Sequence, residues 1–314
     1  MISSADRAAL VAAAEETIRR GSKSFALASR LFDRTTRERA WLLYAWCRHC
    51  DDMCDGQILG HDAQPVSHPR ERLALIAAET EAAARGTETG KIPFDGLRIV
   101  AAECALPRRL LHDHLAGFTM DVEGWRPADE EDLLLYCYGV AGAVGCMMAL
   151  VMRVPADDEE TLDRAADLGI AFQLANIARD ILDDHAIGRC YLPARWLDDL
   201  DLMPKTLADV DKRDRLAGLA ERLVALSARY EASGRAGAAR LPFRARWAVL
   251  TAAGVYGAIG RLVVERKERA WDSRAALSRG AKSAWCVRAL GQACRRQKSA
   301  GDRAGLWTRS GAGI

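Results

Sequence analysis

The chain has 314 residues, half of them hydrophobic, which is enough for a large core and one or two domains. Its net charge of +2 excludes nothing, but the distribution is uneven: from Arg261 onward 13 Lys/Arg stand against 4 Asp/Glu, leaving −7 on everything before. A basic segment beside an acidic body suggests phosphates or an anionic membrane surface, and with no recognised nucleic-acid motif, nucleic acid is not an expected partner.

The nine cysteines are scattered and form no paired C-x-x-C motif. Free thiols fit a reducing cytoplasm, and Cys47, Cys50 and Cys54, at helical spacing, read as packing rather than a thiolate metal site. The apolar run Ala8 to Ala14 is too short for a signal peptide and leads into Glu15 and Glu16. A cytoplasmic protein is expected, peripheral on the inner face of the cell membrane.

Nearly every segment has helical composition, and no Val/Ile/Thr-rich alternating run suggests a strand. A first helix is predicted from Ser4 to about Arg20. The link Gly21-Ser22-Lys23-Ser24-Phe25 then reads as a loop able to cradle a phosphate. Thr35 and Glu38 form a capping-box pattern at the start of a helix that reaches Asp55. A loop is predicted from Gly56 to Pro69, a helix from Pro69 to Arg85, a turn at Gly86 to Pro93, and a helix from Pro107 to about Asp121. His112, Asp113 and His114 in that last helix do not share one face and read as surface residues.

Leu133 to Met152 carries no charge for 20 positions, the minimum for a membrane-spanning helix. Its glycines at 139, 142 and 145 favour instead a buried helix packed closely on its neighbours. Further helices are predicted at Pro155 to Asp183, Pro204 to Ser233 and Pro242 to Arg269. No repeat and no long linker divides the chain, so residues 1–314 read as one all-α domain with a basic C-terminal segment from about 261.

Two of these helices carry the chemistry. Tyr44 to Asp55 reads Y-A-W-C-R-H-C-D-D-M-C-D, and helical spacing puts Tyr44, Arg48, Asp51 and Asp55 on one face. Gln173 to Asp184 reads Q-L-A-N-I-A-R-D-I-L-D-D, which likewise aligns Gln173, Asn176, Asp180 and Asp184. The acidic orders D-D-x-x-D and D-x-x-D-D mirror each other. Crowded carboxylates repel unless a cation lies between them, and Mg²⁺ suits the task because it binds one or two carboxylates together with substrate phosphates.

With G-S-K-S-F (Gly21 to Phe25), Y-C-Y-G-V-A-G-A-V-G (Tyr136 to Gly145) and the run continuing to H-A-I-G-R-C-Y-L-P at Pro193, these stretches resemble the squalene/phytoene synthase family. The final third matches only loosely, through Pro242, Trp247 and the helix of Tyr256. The resemblance implies an all-α isoprenoid-synthase fold around a central cavity. It also implies Mg²⁺-dependent head-to-head condensation of two prenyl diphosphates, here two geranylgeranyl diphosphates, through a cyclopropyl diphosphate to a C40 hydrocarbon of carotenoid biosynthesis. Mn²⁺ can stand in for Mg²⁺, and other enzymes of that pathway are expected neighbours.

By position in the family's motifs, Asp51, Asp55, Asn176, Asp180 and Asp184 would bind the metal. Ser22, Ser24, Tyr44, Arg48, Gln173, Arg179 and Tyr256 would contact the diphosphates or the migrating cation, and Tyr136 would line the cavity. Tyr44, Arg48, Asp51, Asp55, Tyr136, Asp180 and Asp184 are the expected catalytic set. Phe172 is read as core packing. Asp183 stands where many relatives carry Glu, and the charge is kept.

The same carbocation chemistry with two farnesyl diphosphates would give a C30 product. A class I terpene cyclase shares D-D-x-x-D but not the G-S-K-S-F and Y-C-Y-G-V-A-G stretches. A non-catalytic assembly protein of this fold would be expected to lose acidic residues that this chain keeps. The tail lacks the membrane helix usual in the NADPH-using squalene branch and a dinucleotide fingerprint, so NADPH is not expected. The basic tail, with Trp271 and Trp285, is expected to rest on a membrane.

Overall fold

Helices are the only regular elements among the described residues of the computed structural model, which are 4–56, 59, 67–295 and 303–309. In chain order they are α1 (Ser4–Gly21), α2 (Lys23–Ser29), α3 (Arg34–Asp55), α4 (Pro69–Ala84), α5 (Ile92–Cys104), α6 (Arg108–Val122) and α7 (Glu130–Cys137). A π-helical turn, Tyr138–Gly142, leads into α8 (Ala143–Val151). There follow α9 (Glu159–Ala186), α10 (Ala194–Asp198), α11 (Arg213–Gly237), α12 (Phe243–Arg266) and α13 (Arg279–Cys294).

Short polar side chains set several of the starts. Asp33 accepts from the Thr36 amide at 3.0 Å and from its hydroxyl at 2.7 Å, so α3 begins one residue before the Thr35/Glu38 pattern. Glu38 pairs with Arg7 and Arg34 instead of closing a capping box. Asp129 and Asp158 cap α7 and α9 in the same manner. The G-S-K-S-F stretch is not a loop: Ser22 caps the Phe25 amide at 3.3 Å and α2 runs on from Lys23.

α5 and α13 have no counterpart in the sequence reading, which places a turn at Gly86 to Pro93 and assigns no helix after Arg269. Pro93 instead occupies the first turn of α5, where its missing N–H is harmless. Most of the Gly56 to Pro69 loop lies outside the described residues.

The uncharged stretch is the core of the bundle. The segment Glu130–Val151 is apolar and long enough to span a bilayer, yet 67% of its most apolar window is buried by the other helices. Its glycines explain why. A Cβ on Gly145 would lie 2.3 Å from the Ala165 carbonyl oxygen, and one on Gly169 equally close to that of Ala141. Backbone therefore packs on backbone between α8 and α9, and the π turn shifts the register so that Val140 and Ala141 face the interior cavity.

His114 is not a surface residue. It is buried, with Nδ1 donating to the Gly139 carbonyl at 3.1 Å and its ring set between Trp46 and Phe118. Only a carbonyl faces Nδ1, so the proton sits there, and burial pulls the imidazole down to about 4. Asp113 accepts from the Tyr138 hydroxyl at 2.6 Å, whereas His112 stays exposed beside Glu81.

The chain's end returns across the outer side of α9. Arg303 grips the fully buried Asp167 with two donors at 2.7 and 2.8 Å, and Arg309 reaches Asp163 at 2.6 Å. The Trp307 amide meets the Tyr230 hydroxyl at 3.0 Å, while its ring lies 5.2 Å from that of Tyr138. Removing one partner of a buried ion pair leaves the other uncompensated, which costs about 3–5 kcal/mol. Arg303→Met is therefore expected to lower unfolding stability by about 3 kcal/mol in urea titration, and Arg303→Met/Asp167→Leu to recover most of that loss.

Candidate active site

α3 and α9 deliver their acidic faces into one cavity of about 890 Å³. All thirteen residues singled out from the sequence line it: Ser22, Ser24, Tyr44, Arg48, Asp51, Asp55, Tyr136, Gln173, Asn176, Arg179, Asp180, Asp184 and Tyr256. Of the two acidic runs, Asp52 and Asp183 are not in the lining. Asp52 accepts from the Leu59 amide at 2.8 Å, and Asp183 is exposed. Helical spacing explains the division, since Asp51 and Asp55 are one turn apart while Asp52 is rotated by about 100°.

The site is charged at one end and apolar for the rest of its length. Arg48 pairs with Asp51, and its Nε lies 3.4 Å from the Tyr44 hydroxyl. Gly21 is needed against that tyrosine, because a Cβ there would meet the hydroxyl at 2.7 Å. Arg179 donates to Asp180 through Nε at 2.7 Å, and Arg274 reaches the same carboxylate at 3.1 Å. Arg189 pairs with Asp55. Away from these charges the walls are small and apolar, among them Ala141, Val144, Gly145, Ala165, Gly169 and Ala248.

These arginines do not discharge the site. Burial pushes the Asp51 carboxyl up to about 7, with Asp55 and Asp52 adding to the rise against the pull of Arg48. Burial, reinforced by Asp180, takes Asp184 to about 8. Carboxylates that hold protons this tightly are waiting for positive charge. The donor set, four carboxylates and the Asn176 amide oxygen, consists of the hard oxygen ligands that Mg²⁺ prefers. Among the described residues no three His, Cys, Asp or Glu side chains converge on a single ready-made metal position. Two facing rows fit an ion completed by a ligand's own phosphates better than one caged by protein alone.

Several functional groups carried no pattern in the sequence. Asp121 on α6 faces the acidic end, accepting from Tyr191 at 2.7 Å and Tyr136 at 3.0 Å, and burial raises it to about 6. Tyr136 stacks on Tyr191 at 4.7 Å and on Trp125 at 5.8 Å. Arg189 and Tyr191 sit inside the G-R-C-Y-L-P run, which could have flagged them. Arg274 and Lys282 come from the basic terminal segment, and nothing local marks them as cavity residues. The Lys282 ammonium is pulled down by burial and by Lys23.

Phe172 is a cavity residue rather than plain core, stacked 4.2 Å from Tyr256. Cys47 also lines the cavity, but burial takes its thiol up to about 12, so it is no nucleophile. Trp271 donates to the Ala178 carbonyl at 3.2 Å and Trp285 covers Gly254, so both rings pack largely inward.

An all-helical bundle with two facing acidic helices over an apolar cavity defines the class of isoprenoid synthases. The chain belongs to the squalene/phytoene synthase family, whose model matches residues 18–281. It is 46% identical to the phytoene synthase of Pseudescherichia vulneris, covering 94% of this chain and 96% of that one. It is 42% identical to a 15-cis-phytoene synthase of a Paracoccus species, with 96% and 98% covered. Among solved structures, a dehydrosqualene synthase superposes with a TM-score of 0.82 at 24% identity, covering 92% of this chain and 98% of that one, and supports the fold.

Near neutral pH burial makes the free protein hold Asp184 largely protonated, at a cost that Asp184→Asn removes. The substitution is expected to raise the stability of the free protein by about 1 kcal/mol and to abolish the upward shift in Tm that Mg²⁺ with inorganic diphosphate gives the parent. Differential scanning fluorimetry reads both effects.

Proposed function

We propose that the chain condenses two geranylgeranyl diphosphates head to head, through a cyclopropyl diphosphate, to phytoene, releasing two diphosphates. The observation that carries this reading is the placement of Asp51 and Asp55 opposite Asn176, Asp180 and Asp184 at the charged end of one largely apolar cavity. The curated relatives at 46% identity, named phytoene synthases, support the C20 substrate over the C15 one.

Those five residues would hold magnesium, which supplies Lewis-acid neutralisation of the leaving diphosphate, worth several kcal/mol. Arg48, Arg179 and Arg274 present planar donor forks that match phosphate oxygens. Each is paired with a carboxylate in the free protein, so binding would exchange one anionic partner for another. Ser22, Ser24 and Gln173 add neutral donors at the same end.

Loss of the first diphosphate leaves an allylic cation, which the double bond of the second substrate attacks, and loss of one proton from the adduct closes the cyclopropane. The second ionisation lets that ring rearrange, and loss of a proton ends the sequence. The rings of Tyr44, Tyr136, Phe172 and Tyr256 line the path and offer π faces to the cation. The apolar walls from α8, α9 and α12 exclude water that would trap it as an alcohol.

Incubation with C15 or C20 diphosphate and Mg²⁺, followed by mass spectrometry, is expected to give a C40 hydrocarbon from the C20 substrate at the higher kcat/KM. A C30 product formed preferentially would overturn the substrate assignment. Asp180→Asn should lower turnover roughly 100-fold or more with an unchanged far-ultraviolet circular dichroism spectrum; near-parent turnover would remove Asp180 from its role.

A further inference from the structure

The site uses Arg274 and Lys282 from the basic C-terminal segment, and Arg303 and Arg309 pair with α9, which leaves the arginines near the contact of α12 with α13 to be accounted for. No acidic residue lies between Glu231 and Glu265, nor between Asp272 and Asp302. These two acid-free runs supply α12 up to Val264 and all of α13.

α13 lies on the outer side of α12. Trp285 covers Gly254 so closely that a Cβ there would come within 2.3 Å of the indole, and Arg246 reaches the Ala293 carbonyl at 3.2 Å. Numbers rise along one helix as they fall along the other, so the pair is antiparallel and the start of α12 adjoins the end of α13. Trp247 donates to the Cys286 carbonyl at 2.8 Å and fixes that junction.

Two of the exposed large apolar side chains of the described residues flank Trp247: Phe243, 46% exposed, has its ring 6.5 Å from the indole, and Val287, 69% exposed, follows the Cys286 whose carbonyl the indole holds. Arg244, Arg288 and Arg295 are exposed around them. Arg244 donates to the Leu31 and Phe32 carbonyls and Arg288 lies over the Trp285 ring. Among the described residues none of the three pairs with a carboxylate. On its inner face α12 contributes Ala248, Ala252 and Val255 to the cavity wall.

We propose that this end of α12 and the outer face of α13 dock the protein on an anionic lipid bilayer. The inference rests on the reading that the product is a hydrocarbon with no polar group, whose only solvent in a cell is a membrane. Unpaired cations select an anionic surface. Interspersed Phe243 and Val287 select a bilayer over an acidic polypeptide, because apolar side chains can enter the acyl boundary while arginines stay at the headgroups.

The test is flotation of the full chain with phosphatidylcholine vesicles, with and without phosphatidylglycerol, at low and high salt. Binding is expected only with phosphatidylglycerol, and high salt should weaken it. Phe243→Ser/Val287→Ser and Arg288→Gln/Arg295→Gln should each reduce the bound fraction about tenfold or more, with turnover of detergent-dispersed C20 diphosphate unchanged. No flotation of the parent chain, equal flotation on neutral vesicles, or parent-like flotation of both variants overturns the proposal. So does retention on immobilised polyglutamate without flotation, which would assign the surface to an acidic polypeptide. Normal flotation without hydrocarbon formation in detergent would instead sink the reaction and leave the docking surface standing.

Discussion

Two rows of carboxylates held against each other in a low-dielectric cavity are unstable by themselves, and the surrounding bundle serves to hold them there. Burial and mutual repulsion raise Asp51 and Asp184 far above the ordinary carboxylate range, even with Arg48, Arg179, Arg189 and Arg274 close by. The rest of the fold supplies the stability that this arrangement withdraws. The ion-paired outer side of α9, where Arg303 and Arg309 meet Asp163 and Asp167, shares a helix with Asp180 and Asp184. One end of α9 is thus electrostatically satisfied while the other is left in need of a cation.

Close helix packing links that frustration to the cavity. Gly145 and Gly169 let α8 and α9 touch through backbone, and the π turn redirects Val140 and Ala141 inward. The result is a largely apolar wall, the setting a carbocation needs to outlast water. The charged end and the dry end have different demands. The structure separates them along a single cavity, with the stack of Trp125, Tyr136 and Tyr191 and the carboxylate of Asp121 at the charged end.

The family assignment and the geometry support each other from different directions. Identity of 46% over nearly the whole chain speaks to the chemistry of close relatives, and the superposition with a dehydrosqualene synthase speaks to the shape alone. Neither accounts for the acid-free stretches of α12 and α13, which belong to the outer surface rather than to the site.

Much of the site was legible in the sequence, because helical periodicity alone decides that Asp51 and Asp55, or Asn176, Asp180 and Asp184, share a face, and because charged residues inside apolar runs need a reason to be there. The all-α class followed equally from composition. Tertiary structure decided what periodicity cannot reach. It brought Asp121, Arg189 with Tyr191, and Arg274 from three separate places to the same cavity, buried His114 between Trp46 and Phe118, and turned Phe172 inward onto Tyr256. It also turned Gly21 to Phe25 from a loop into a capped helix start, and recruited Pro93 and the region of Ser278 as helix boundaries. Local spacing reports which residues lie side by side on one helix; which helices then meet depends on how their apolar faces close together, and no short stretch of sequence contains that information.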